Sequence, residues 1–121
     1  MKHIYLAGPY TLGDPAVNTG NMIKAYSELI DLGYYPLCPL FSHFSHMFDP
    51  KPYETWLEWD LAWLPKCDAL LRLSGESKGA DVEEAKAREL GIPVFYSVED
   101  LVLYGRGFSI KPCVLTKGGE E

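Results

Sequence analysis

Hydrophobic and polar positions follow two rhythms along this chain. Ile4-Tyr-Leu-Ala7 is a short apolar run ending in Gly8-Pro9, the pattern of a buried strand and then a turn. From Val17 to Leu32 the rhythm becomes helical, with Met22, Ile23, Tyr26, Leu29 and Ile30 in phase and Gly33 at the end. Tyr34 to Leu37 reads as a second strand, and Pro39 to Pro52 as a loop rich in aromatics and histidines. A helix over Tyr53–Leu64, a strand over Ala69–Leu73, a helix over Gly79–Gly91 and a strand over Ile92–Tyr96 follow. Beyond Ser97, Val98–Leu103 reads as a short helix. Ile110–Leu115 reads as a fifth strand or a segment lying on a partner subunit, and 117–121 as a frayed tail.

Strands alternating with helices call for a parallel sheet covered on both faces. The predicted class is α/β, a Rossmann-like doubly wound parallel sheet of four to five strands in one domain over 1–121. In such sheets ligands sit beyond the carboxyl ends of the strands. Those ends carry Gly8-Pro9-Tyr10, the Pro39 loop and Ser74-Gly-Glu-Ser-Lys-Gly79.

Two acids break the helical pattern. At roughly 100° per residue, Ala80, Glu83, Ala87 and Leu90 share one stripe. Asp81, Glu84, Arg88 and Glu89 fall on other faces, mostly toward solvent, so Glu83 is the one acid of its helix expected to point inward. Asp60 has Trp56 and Leu57 behind it and Trp63 and Leu64 ahead, and so lies inside an apolar stripe as well. Burying a carboxylate costs several kcal/mol unless it is paired or hydrogen-bonded. Either the two acids share a pocket, or Glu83 accepts hydrogen bonds at its helix start while Asp60 pairs with a base such as Arg72.

Length and composition narrow the field. The chain has 121 residues, 47% hydrophobic and 23% charged, an ordinary globular composition. A net charge of −6 argues against nucleic acid as a partner. No apolar run is long enough for a signal peptide or a membrane span. Cys38, Cys67 and Cys113 are scattered and odd in number, which reads as reduced thiols in a cytoplasmic protein. The Ser74–Ala80 turn offers free backbone N–H groups at a helix start, a generic anion site, but neither a P-loop nor a Gly-x-Gly-x-x-Gly is present. Ser77 either caps that helix or holds a phosphate oxygen.

Ile4-Tyr-Leu-Ala-Gly-Pro-Tyr10, Trp59-Asp-Leu-Ala-Trp-Leu64, Cys67-Asp-Ala-Leu-Leu71 and Ser77-Lys-Gly-Ala-Asp-Val-Glu-Glu-Ala85 together resemble the nucleoside 2-deoxyribosyltransferase family, including its 2'-deoxynucleoside 5'-phosphate N-hydrolase branch. The resemblance covers roughly residues 3 to 97. It implies that Glu83 is the nucleophile, that Asp60 contacts the sugar and supports catalysis, and that Tyr5 is a strand tyrosine near the site, counted with them as catalytic. Ser77 matches a serine that binds the 5'-phosphate in the hydrolases. The hydrolases carry further polar and basic residues after the first strand, where this chain has Pro9 and Tyr10. The implied activity is cleavage of an N-glycosidic bond in a nucleoside or its 5'-monophosphate, with the sugar passed to water or to another base and no cofactor. A non-catalytic nucleotide-binding domain on the same fold is the alternative.

The expected substrate-binding set is Gly8, Pro9, Tyr10, Ser77, Gly79, His43 and His46. His43, His46 and Asp49 lack the spacing of a zinc site, and no metal is expected. The aromatic loop that holds them reads either as a cover for the leaving base, with a histidine at the base's edge, or as plain loop packing. Trp56, Trp59 and Trp63 read as core or subunit packing, and this wide aromatic face suggests a homodimer or higher homo-oligomer.

Overall fold

Strand β1 (His3–Ala7) sits at the centre of the sheet, and its alternation organises the whole chain. The computed structural model describes residues 2–107. Ile4 and Leu6 point to one face of the sheet, where Met22, Ala25 and Leu29 of helix α1 (Pro15–Asp31) and Leu101 of α5 (Val98–Gly105) close over them. Tyr5 and Ala7 point to the other, against Leu64 and against Ala80 and Ala87 of α4 (Lys78–Glu89). Both faces are therefore dry, which is why β1 and β3 (Ala69–Arg72) are apolar without alternation.

Strand β2 (Tyr35–Leu37) pairs with β1, β1 with β3, and β3 with β4 (Val94–Phe95), all parallel, in the order β2-β1-β3-β4. Ile4 pairs with Pro36 on one side and Ala69 on the other. The chain first steps from β1 to β2 on one side, then crosses to β3 on the other. That reversal places the switch point, and hence the expected crevice, at the carboxyl ends of β1 and β3. This is the predicted doubly wound α/β class.

The boundaries follow local chemistry. Helix α1 begins earlier than its apolar stripe, because Asp14 accepts from the Ala16 amide at 2.9 Å and Pro15 occupies the first turn. Met22 and Leu29 of that stripe are buried, whereas Ile23 and Ile30 are about half exposed. The segment Pro39–Pro52 is not a simple loop. A 3-10 turn over Pro39–Phe41 runs into helix α2 (Ser42–Phe48), whose Phe44, Met47 and Phe48 are exposed. Phe44, Met47 and Phe48 lie at i, i+3 and i+4 on one stripe, but seven residues are too short a window for that period to be read as a helix. Helix α3 (Tyr53–Trp63) contains no fully buried residue, so Trp59 and Trp63 are not core within the subunit. Cys38 and Cys67 are unpaired and buried. The fifth strand and frayed tail expected at 110–115 and 117–121 lie outside the described residues. Among the described residues no helix is long and apolar enough to cross a membrane.

Candidate active site

Tyr5 of β1 and Glu83 of α4 meet on the same face of the sheet. The Tyr5 hydroxyl donates to Oε2 of Glu83 at 2.7 Å, with both side chains buried. Asp60 reaches this region from α3, and its Oδ1 is buried with no hydrogen-bond partner among the described residues. Burial drives the Asp60 carboxyl up to about 7. Burial likewise lifts Glu83 to about 8; the Tyr5 hydrogen bond and the Arg72 charge oppose the shift, and the Asp60 charge reinforces it. Desolvation beside these acids keeps the Tyr5 phenol protonated far above its ordinary range. The site therefore holds two proton-hungry carboxyls, one braced by a fixed donor and one with a free oxygen.

A cavity of about 1020 Å³ opens over these groups. Gly8, Tyr10, His43, His46, Asp60, Ser77, Gly79 and Glu83 line it, so most of the residues singled out in the sequence converge. Two stand apart. Tyr5 is fully buried behind Glu83, and Pro9 is buried against the β3–α4 loop rather than facing the cavity. A Cβ on Gly75, whose φ is +120°, would meet Pro9 Cγ at 2.7 Å. A Cβ on Gly8 would meet Leu73 Cβ at 3.0 Å. The loops after β1 and β3 thus touch at the switch point and need glycine there to close the cavity floor.

Arg72 does not pair with Asp60. Its guanidinium donates to Asp81 at 2.7 Å, Glu84 at 3.2 Å, the Gly75 carbonyl at 2.8 Å and the Leu73 carbonyl at 3.1 Å. This clamp ties the end of β3 to the first turns of α4. Glu84 consequently departs from the expectation that only Glu83 points inward. It is buried too, held by Arg72, Arg88 and the Tyr96 hydroxyl. Burial would raise its carboxyl, but the hydrogen bonds from the Tyr96 hydroxyl and Arg88, with the charges of Arg88 and Arg72, hold it below the usual carboxylate range.

Ser77 is the N-cap of α4, accepting from the Ala80 amide at 3.1 Å. That bond uses an oxygen lone pair and leaves the hydroxyl proton free. Thr11 and Lys78 also line the cavity, together with Lys51, Tyr53 and Trp56, which the sequence reading did not place there. Tyr53 and Trp56 precede Asp60 by two turns and one turn on α3, so the helical phase that marked Asp60 also marked them. Among the described residues no group of three or more His, Cys, Asp or Glu side chains is arranged to hold a metal ion.

The family described as Domain of unknown function (DUF4406) matches residues 2–96, most of the chain, and the chain belongs to that family. No curated protein matches the sequence. Among solved structures, the chain is similar to the 2-deoxyribosyltransferase of the psychrotolerant bacterium Bacillus psychrosaccharolyticus, described as a biocatalyst for the synthesis of antiviral and antitumoral nucleosides. The TM-score is 0.60 at 22% identity, covering 76% of this chain and 69% of that one. The two share a fold.

Proposed function

We propose that this member of the DUF4406 family cleaves the N-glycosidic bond of a 2'-deoxynucleoside or its 5'-monophosphate through a glutamate nucleophile. The observation that carries the reading is the Tyr5-braced Glu83 and an Asp60 oxygen with no partner among the described residues, both facing one cavity. A site for merely binding an anionic nucleotide has little use for two acids at its centre. A glycosidase needs them, because positive charge builds at C1' and on the ring oxygen as the bond breaks. The fold shared with a 2-deoxyribosyltransferase supports the same reading.

In the first step a Glu83 oxygen attacks C1', forming a glycosyl ester as the bond from C1' to the base nitrogen breaks. The bonding pair leaves on the base, and protonated Asp60 supplies a proton to it. Tyr5 holds Oε2, leaving Oε1 to attack. In the second step water attacks C1', Asp60 takes its proton, and the ester opens to restore the Glu83 carboxylate. A second base in place of water makes the reaction a transfer. Ser77 favours hydrolysis of a monophosphate. Its hydroxyl proton, the start of α4 at Lys78 and Gly79 and the Lys78 side chain, all at the cavity wall, make a cradle for a 5'-phosphate. His43, His46, Tyr10 and Trp56 wall the space left for the base.

Chromatography of the protein incubated with nucleosides and 5'-monophosphates, with and without added free base, tests the reading. Free base released from a monophosphate is the expected result, and a new nucleoside or nucleotide formed only with added base would make the enzyme a transferase. Absence of turnover across the panel by folded protein would overturn the enzymatic reading in favour of a binding domain.

A further inference from the structure

We propose that His46 selects the base by presenting a fixed Nε2–H donor to an acceptor atom on the base's edge. The proposal rests on the reading that a heteroaromatic base occupies this cavity and extends it to what that base must offer. Nδ1 of His46 accepts from the Trp56 indole N–H at 2.9 Å and from the Lys51 backbone amide at 3.2 Å. Neither group has any capacity to accept in return, so Nδ1 carries no proton. A neutral ring then carries its one hydrogen on Nε2, and an imidazolium would set an N–H against two others. The tautomer is thus dictated by the junction of α2 with α3, where Lys51 begins the turn into Tyr53 and Trp56 lies one turn further on.

The ring's orientation is fixed as firmly as its proton. Trp56 meets His46 edge-on at 6.1 Å between centroids, and His43 stacks on it at 6.4 Å and 27°. His43 in turn leans on Tyr10 at 5.0 Å, so a continuous wall of rings runs from the β1 loop to α3. With Nδ1 occupied by Lys51 and Trp56, Nε2–H is the polar group of this cavity-lining ring that remains to meet a ligand. An uncharged donor there complements a ring nitrogen or carbonyl oxygen and leaves a C–H at the same place unrewarded.

Two measurements test this. Nitrogen NMR of the histidine rings in the folded protein is expected to show His46 as the neutral Nε2–H tautomer; an Nδ1–H tautomer or an imidazolium at neutral pH would overturn the proposal. Calorimetry would then compare free purine and pyrimidine bases with analogues in which one acceptor atom is replaced by C–H. The wild type is expected to bind at least one parent base about 10-fold more tightly than its analogue. His46→Asn, which keeps an acceptor near Nδ1 but has no donor at Nε2, is expected to lose that preference. His46→Gln, with an amide nitrogen near Nε2, is expected to keep part of it. Bases that bind without any such preference, or a preference that survives in His46→Asn, would overturn the role of His46 alone. Failure of every base to bind would count against the reading of the cavity itself.

Discussion

Glu83 and Asp60 retain protons that exposed carboxyls give up well below neutrality, since burial moves them to about 8 and about 7. The proposed chemistry needs the pair to hold one proton with Glu83 ionised and Asp60 protonated, the minority arrangement of that state because Glu83 binds its proton the more tightly. Titrations of neighbouring acids belong to the pair, so kcat/KM is expected to be bell-shaped with its maximum between about 7 and 8. Full activity persisting down to the range of ordinary carboxylates would contradict this. Tyr5→Phe removes the hydrogen bond that favours ionised Glu83, so fewer molecules hold the shared proton on Asp60: activity near neutrality should fall about 10-fold and the basic limb should move to higher pH. Stability carries the same signature. A carboxyl raised in the folded state contributes fully below its unfolded pKa, and that contribution is lost as pH rises through about 8. Glu83→Gln escapes the loss, so thermal or urea denaturation should find it more stable than wild type above that pH by about 1–3 kcal/mol. Equal pH dependence of the two proteins would deny that Glu83 is buried as an acid. Glu83 and Asp60 were legible in the sequence because each interrupts an apolar stripe. Glu84 was not, because its reason for being inside is Arg72 on a strand and Tyr96 beyond β4, contacts that helical phase alone cannot reveal.

At the scale of elements, the site depends on two loops meeting. Pro9 after β1 packs against Gly75 after β3, and Arg72 binds the Gly75 carbonyl while gripping Asp81 and Glu84 of α4. Gly75→Ala combines a left-handed φ with a Cβ only 2.7 Å from a rigid ring. It should destabilise the protein by about 2 kcal/mol or more, read as a lower Tm, and should loosen the start of α4 that carries Ser77 and Glu83. An unchanged Tm would show that the loops do not touch as described. The strands and long helices were readable because their signals are local: buried runs closed by Gly or Pro, helical stripes ended by Gly33 or Gly91, and Ser77 at a cap, whereas the Asp14 cap that starts α1 early was missed. Helix α2 was not, since it lacks a side-chain cap and is too short for its Phe44, Met47 and Phe48 stripe to read as a helical period. Reading it as a loop also hid the junction at which Lys51 and Trp56 hold His46.

Across the whole molecule, the strand order β2-β1-β3-β4 converts residues distant in sequence into one crevice. Tyr5, Asp60 and Glu83 come from three different elements, and only the reversal between β1 and β3 leaves a gap into which all can be directed. The alternation of strands and helices announced the fold class, but strand order is a consequence of packing that no local pattern encodes. Trp59 and Trp63 remain 45% and 46% exposed on α3, and the wide aromatic face they form is the reason a homodimer or higher homo-oligomer is proposed. Sedimentation of the wild type is expected to give a dimer or higher oligomer, and a monomer at micromolar concentration would remove that assignment. The central claim is that Glu83 becomes covalently attached to the sugar. Protein quenched with acid during turnover, and read by mass spectrometry, should gain the mass of one deoxyribosyl group or its 5'-phosphate on the peptide bearing Glu83. Glu83→Ala should show neither the added mass nor free base. The same mass found on another residue, or base released by Glu83→Ala at the wild-type rate, would contradict the account.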